Sequence, residues 1–326
     1  MVQWLLVYFL IGVVGTWLAR RYAIRQSLID QPGERRSHQV ATPRGGGIAI
    51  VIAALVAACA LALHRPVDAP LLAAFGVGLV LVAGIGWLDD HRPLSPWWRL
   101  LVHAVAAVLL ALAVGDVYQS PWLGLVAFIA AMTLTNVWNF MDGINGLAAS
   151  QAALVAAGLA AIAGSSWGLL GVAVAAACVG FLPFNFPKAR IFLGDVGSGA
   201  LGFCLAALVV VAGARLGGHS WVVLLPLSVF LVDASLTLLR RLLRGERWWT
   251  PHTQHAYQVW ARRVGHNRVT LAYAGATAVS LLLAFWLASQ PEMAFITGIT
   301  VAWYICCAFL WVGLQKAGSF RTPTSI

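Results

Sequence analysis

Eleven apolar, nearly uncharged stretches run through the chain, near residues 2–19, 46–63, 70–88, 98–115, 121–138, 147–163, 166–184, 199–214, 219–239, 269–288 and 293–314. Each approaches the roughly 20 apolar helical residues that cross a hydrocarbon core, and that repetition leaves few folds open. A length of 326 residues could suggest two soluble domains, but the chain is 61% hydrophobic and only 10% charged. Its mean hydropathy is +0.85, a value that belongs to polytopic membrane proteins. The expected fold is a single all-α integral-membrane domain, residues 1–326, with about eleven transmembrane helices and ten as the alternative count. Its Gly- and Ala-rich spans suit close helix packing in lipid. The first stretch reads as a retained span, because no small-residue cleavage site marks it as removable.

Charge placement supports the count. Put the amino terminus outside and let the spans alternate. Arg20, Arg21, Arg25, Arg35, Arg36 and Arg44 then share the first inside loop, and Arg92 and Arg99 the second. Lys188 and Arg190 fall in a later inside segment, seven arginines in the loop 240–268, and Lys316 and Arg321 in the tail. Of the 21 basic residues only Arg65 and Arg215 remain outside, the asymmetry of the positive-inside rule. The net charge of +10 is therefore a consequence of topology and not a nucleic-acid surface. Anionic headgroups or an anionic substrate are secondary uses.

The acids fall unevenly on this frame. Asp68, Asp116 and Glu292 sit in short outer loops, whereas Asp89, Asp90, Asp142 and Asp195 come from three segments and all lie at inside ends of spans. Charges at the membrane boundary are functional candidates, against the plainer reading of ion pairs or helix-end charges. In GWLDDHRPLSPWWRL (86–100) two adjacent carboxylates close a span. Neighbours on a helix point about 100° apart, so Asp89 and Asp90 cannot share one orientation. One is free to face a metal or phosphate and the other a cation. Trp97 and Trp98 read as an aromatic belt.

NVWNFMDGING (136–146) sets Asn136, Asn139, Asp142 and Asn145 three apart, with Gly143 and Gly146 allowing the backbone to turn. A carboxylate and amide oxygens suit a hard cation such as Mg²⁺, which takes its remaining ligands from water and substrate phosphates. Helix capping is the competing reading of the same residues. FNFPKARIFLGDVGSG (184–199) adds Lys188, Arg190 and Asp195, and its glycines open a helix whose backbone N–H groups suit an anion. The polar segment 240–268 carries His252 and His255, one turn apart if helical. No third ligand at zinc spacing accompanies them, so phosphate binding with the arginines fits better than metal. Much of that segment also reads as an amphipathic surface helix anchored by Trp248 and Trp249. Asp233, within the ninth span, reads as the partner of an arginine, Arg240 or Arg241. The five cysteines lie in spans without metal spacing and read as packing residues.

Together the inside ends combine hard ligands, anion-binding loops and arginines on a membrane scaffold, which implies phosphate chemistry on a lipid-borne substrate. LDD at 88–90, NxxNFMDGINGLA at 136–148, FLGDVGSG at 192–199, the His-containing loop at 251–258 and DQPGERRSHQVATPRGGG at 30–47 resemble the polyprenyl-phosphate N-acetylhexosamine-1-phosphate transferases, in order and at consistent spacing over about residues 30–260. The resemblance implies transfer of a sugar-1-phosphate from a UDP-amino sugar to undecaprenyl phosphate, with UMP leaving, at the cytoplasmic face of the bacterial inner membrane. By resemblance Asn139 and Asp195 contact Mg²⁺, with Mn²⁺ as a substitute, while Asp89 and Asp90 orient or deprotonate the lipid phosphate. Asp142 and Asn145 line the nucleotide side, with Asn136 and Lys188 also toward substrate. His252, His255 and nearby arginines hold phosphates, and Arg44 with Gly45–Gly47 adds a contact. One-step attack is preferred to a covalent aspartyl intermediate.

The resemblance has a departure. The peptidoglycan-precursor branch carries three contiguous histidines where this chain has PHTQHAYQ (251–258). That points to the branch initiating O-antigen and other surface polysaccharides, some members of which use 6-deoxy amino sugars. The implied partners are undecaprenyl phosphate, a UDP-amino sugar and membrane lipids, with a second copy of the chain as a further candidate. Two other classes compete. An ion-coupled transporter predicts charges and broken helices at the bilayer midplane, where only Asp233 is deep enough, and a structural scaffold needs no converging acids.

Overall fold

The computed structural model describes residues 1–31, 40–247, 249–250 and 252–319, with the backbone alone for 317–319. Arg35, Arg36, Arg321, Trp248 and Pro251, invoked above, lie outside the described residues. The helices are α1 (Val2–Arg25), α2 (Ile48–His64), α3 (Ala69–His91), α4 (Pro96–Val117), α5 (Pro121–Phe140), α6 (Leu147–Ala163) and α7 (Ser165–Asn185). They continue with α8 (Asp195–Leu216), α9 (Ser228–Leu243), the short α10 (Ala256–Val264), α11 (His266–Ala288) and α12 (Met293–Ser319). Eight helical runs are long and apolar enough to cross a membrane, one of them the 49-residue run Asp195–Leu243, with α2 and α6 as shorter apolar helices. That long run is two passes: the chain turns at Gly217, and the 3₁₀ segment Gly217–Leu227, containing Pro226, then runs with α9 alongside α12. Each expected span thus meets a helix of its own.

Local chemistry sets the boundaries. Ser95 Oγ accepts from Trp97 N and Ser120 Oγ from Leu123 N, with Pro96 and Pro121 as the first helical residues. A serine cap followed by proline satisfies one orphan amide and omits another. Both helix 8 and helix 1 are longer than expected. α8 begins at Asp195 instead of residue 199, and α1 runs on to Arg25.

The helices alternate in direction. Near one end Trp4 Nε1 donates to Leu169 O, joining the starts of α1 and α7. At the other end Arg20 donates to Arg190 O, Gly146 N to Asn185 Oδ1, Thr270 Oγ1 to Asn145 O, and Arg240 to Gln315 Oε1. α8 is the hub, buried continuously from Val196 to Gly213 against α3, α5 and α6. Small residues permit this contact: a Cβ on Gly202 would overlap Leu134 O of α5, and one on Gly86 of α3 would overlap the Asp195 carbonyl. A two-residue antiparallel pair, β1 (Ile29–Asp30) with β2 (Thr42–Pro43), continues into backbone bonds that lay residues 43–47 beside 192–193. That register carries Arg44 to the ends of α3 and α8.

Candidate active site

Two adjoining cavities open where the chemistry-bearing ends converge. The first, about 270 Å³, is lined by Arg44, Asp90, Asn139, Asp142, Asp195 and Ser198 among others. The second, about 330 Å³, is lined by Arg99, Asn136, Asn139, Asp142, His252 and His255, with Trp97, Phe140 and Trp249 on its apolar side. Asn139, Asp142, Gly143 and Gln258 belong to both walls.

The adjacent acids of α3 diverge as helix geometry requires. Asp89 accepts from Leu94 N and pairs with Arg99 at 2.7 Å. Asp90, 3% exposed, accepts from Asp195 N and Val196 N, both at 3.1 Å, while Arg44 approaches its carboxylate at 3.7 Å and donates to its carbonyl. A carboxylate against the first amides of a helix satisfies orphan donors and the positive end of the dipole. This corrects one expectation. The amino terminus of α8 was read as an open anion site, but Asp90 already fills it, and Gly197 N and Ser198 N bond Gly194 O. Both carboxylates expected to serve the lipid phosphate are thus engaged within the protein.

Asp195 lies between α3, α4 and α5. Asn139 Nδ2 donates to its Oδ1 and, at 3.0 Å, to Ser198 Oγ; Arg99 reaches the same Oδ1 at 3.4 Å. Arg99, read only as a topological charge, therefore bridges Asp89 and Asp195 from the first turn of α4. Its position in PWWRL at an inside helix end was the available signal. Ser198 and Gln258 lie within FLGDVGSG and PHTQHAYQ, but the sequence reading gave neither side chain a role of its own.

Asp142 differs from its neighbours. It is half-buried in the turn after α5, and among the described residues no hydrogen bond or ion pair reaches its carboxylate. Burial, then the charges of Asp195 and Asp90, push its pKa well above the ordinary carboxylate range. Among the described residues, Asp89, Asp90, Asp142 and Asp195 thus face only two close cations, Arg44 and Arg99. Among the described residues no three His, Cys, Asp or Glu side chains are grouped to hold a metal alone. An excess of carboxylate with amide and hydroxyl oxygens, but no closed cage, fits Mg²⁺, which one or two carboxylates hold together with substrate phosphates. Asp195, Asp142 and the Asn139 side-chain oxygen could supply that contact.

The remaining expected residues divide. Asn136 lines the second cavity, with its amide nitrogen bonded back to Met132 O at 2.7 Å. Asn145 and Lys188 stand outside the central cavities, in a neighbouring one of about 560 Å³ that shares Phe192 and Gln258 with the first. Asn145 is held there by Pro187 O. His252 and His255 do not share a helical turn: His252 lies in the loop, and His255 is the N-cap of α10 with its ring 4.9 Å from that of His252. Burial, then His255 and Arg241, lowers the His252 pKa to about 4, so it is neutral near pH 7. Its Nδ1 accepts from Gln254 N at 3.3 Å, which leaves the proton on Nε2. In that state it offers one neutral N–H donor.

Two further readings of the loop change. Between α9 and α11 the described residues form one helix, Ala256–Val264, with Ala256, Tyr257, Gln258 and Ala261 buried, so that helix is docked into the protein. Trp249 packs beside Trp97, ring centres 5.9 Å apart and planes tilted by 46°. Asp233 was expected to pair with an arginine, yet Arg241 pairs with Glu246 and Arg240 with Gln315, while Asp233 bonds α10 and two side-chain hydroxyls.

The family described as Glycosyl transferase family 4 matches residues 72–213, which takes in the three acid-bearing segments but not the histidine loop. The chain is 30% identical over 311 residues to the decaprenyl-phosphate N-acetylglucosaminephosphotransferase of Mycolicibacterium smegmatis, across 81% of this chain and 74% of that one. It is 30% identical over 269 residues to the phospho-N-acetylmuramoyl-pentapeptide-transferase of Thermosynechococcus vestitus, across 74% and 70%. It is 28% identical over 294 residues to the undecaprenyl-phosphate alpha-N-acetylglucosaminyl 1-phosphate transferase of Thermotoga maritima, across 89% and 90%. With its acids gathered at one end of a helical membrane scaffold, the chain belongs to glycosyl transferase family 4, among the polyprenyl-phosphate N-acetylhexosamine-1-phosphate transferases.

Proposed function

We propose that the protein transfers an N-acetylated amino-sugar 1-phosphate, from a hexosamine or a 6-deoxyhexosamine, from its UDP donor to undecaprenyl phosphate. A lipid phosphate oxygen attacks the sugar-bearing phosphorus, the bond from that phosphorus to the bridging oxygen breaks, and UMP leaves. The observation that carries the reading is the wall of Asn139, Asp142, Gly143 and Gln258 common to two cavities, one polar and lined further by Asp90 and Asp195, the other with an aromatic side. Substrates entering from cytosol and bilayer would meet across Asn139 and Asp142. A phosphate monoester is largely dianionic at neutral pH, its second pKa being about 6, so positioning and charge neutralisation supply the catalysis. Bound Mg²⁺ would neutralise the donor diphosphate. Asp195, with Asp142 and Asn139, would hold it, while Asp89 and Asp90 act through Arg99 and α8, which they fix in place. His252 Nε2–H and Arg99 would hold phosphate oxygens, and Asn136, Asn145, Lys188, His255 and Arg44 would complete the substrate surface.

The charge asymmetry supports an external amino terminus and a cytoplasmic site in a bacterial inner membrane. The relatives' names support an N-acetylglucosamine-type sugar, and PHTQHAYQ supports a surface-polysaccharide role such as O-antigen initiation over peptidoglycan. The test is exchange of radiolabelled UMP into UDP-sugars in detergent, with undecaprenyl phosphate and with or without EDTA. UDP-N-acetylglucosamine, UDP-N-acetylfucosamine and UDP-N-acetylquinovosamine serve as donors. EDTA-sensitive exchange with at least one donor is expected. Folded protein inactive with all of them overturns the reading.

A further inference from the structure

Among the described residues, Asp233 is the one acid inside the bundle that the reaction above leaves unused. It is 2% exposed, in a medium without water to solvate it. Its Oδ1 accepts from Ala256 N at 2.7 Å and Thr237 Oγ1 at 3.2 Å. Its Oδ2 accepts from Tyr257 N at 2.9 Å and Tyr273 OH at 2.8 Å. Ala256 N and Tyr257 N can only donate, one to each oxygen, and the two hydroxyls complete the set. Two amides at the positive end of a helix favour the carboxylate.

Two of these donors are the first amides of α10, so a side chain of α9 caps a helix 23 residues further on. The capped end carries the machinery. His255 is the residue before Ala256, with Nδ1 3.7 Å from Asp233. Tyr257 OH donates to Phe140 O at the end of α5 and lies against Gly143, where a Cβ would overlap it. Through Phe140 that contact reaches the turn bearing Asn139 and Asp142. Gln258 lines both cavities. We infer that Asp233 is a positioning residue of the transferase, an intramembrane anion that seats the amino end of α10 and thereby aligns His255 with the Asn139–Asp142 turn. The inference rests on the proposed transferase reading.

The test is a double-mutant cycle in the UMP-exchange assay with UDP-N-acetylglucosamine, on full-length protein in detergent. Asp233→Asn is expected to lower turnover about 30-fold and His255→Ala about 100-fold, and the double variant to stay within about twofold of His255→Ala, the non-additivity of residues acting as a unit. A purely structural role predicts losses that multiply, to about 3,000-fold. Multiplied losses, or Asp233→Asn within about twofold of wild type, overturn the inference. Where Asp233→Asn does not yield folded protein, Tyr273→Phe removes one donor and carries the same cycle. Hydrogen exchange of residues 252–261 gives a readout independent of activity. Exchange at least about tenfold faster in Asp233→Asn, with α8 unchanged, is expected, since a lost cap frees the helix end; unchanged protection overturns the inference. An inactive wild type whose exchange still responds to Asp233→Asn would fault the transferase reading and leave the positioning role standing.

Discussion

Asp142 and Asp233 are two aspartates of one bundle with opposite surroundings. Asp233 accepts four hydrogen bonds and touches no reaction cavity of the site. Asp142 lines both cavities and receives no hydrogen bond from a described residue. A charge buried without partners is costly, and a fold keeps such a group where something from outside completes it. The difference separates the acid that the protein satisfies itself from the acid that it leaves for a ligand. Asp195 stands between them, held by Asn139 and Arg99 on one side of a single oxygen.

The strongest way to break that distinction is Asp195→Asn, expected to lower exchange about 10³-fold or more in folded protein, at the upper end for loss of one preorganised electrostatic contact. Turnover within tenfold of wild type would remove Asp195 from the cation site. Next, Asp142→Asn is expected to lower exchange about 10²-fold while raising Tm in metal-free buffer, whereas Asp233→Asn lowers Tm. The sign follows from linkage. Because the folded-state pKa of Asp142 is raised, the folded form binds the extra proton. Its stabilising contribution is full below the unfolded value of about 3.9 and is lost as pH rises through the folded value. Thermal melts against pH in EDTA should therefore fall more steeply in wild type than in Asp142→Asn. Mg²⁺ should raise Tm in wild type more than in the variant.

Arg99→Lys keeps the charge but not the planar guanidinium whose Nη1 reaches both Asp89 and Asp195, and an expected loss of about 30-fold in turnover would show that geometry counts beyond charge. The smallest effect is assigned to His252→Gln, which replaces one neutral donor by another. With a pKa of about 4, His252 contributes no limb to the rate profile between pH 5.5 and 8. The variant should retain activity within about tenfold at unchanged profile. A lost acid limb in that range would mean that His252 works as a cation.

Much of the fold was legible in the sequence because hydropathy and charge are local properties summed over some 20 residues. Eleven apolar stretches became helices, and Ser95–Pro96 and Ser120–Pro121 open two of them. The candidate site was legible as a set: Asp90, Asn139, Asp142 and Asp195 do line one cavity. Pairings were not. Asp90 meets the amides of α8 across 105 residues of sequence, so the same GDVGSG that reads as an open anion site is closed by a side chain no local pattern announces. Arg99 looked like one basic residue among many, and the loop of His252 and His255 looked like a solvated surface helix. By itself the sequence determined the helical membrane class, the alternation of passes and which helix ends carry chemistry. Only the tertiary structure decided which carboxylate is satisfied and which is left open, because in lipid each buried polar group must find its partner on another helix, and that choice belongs to packing.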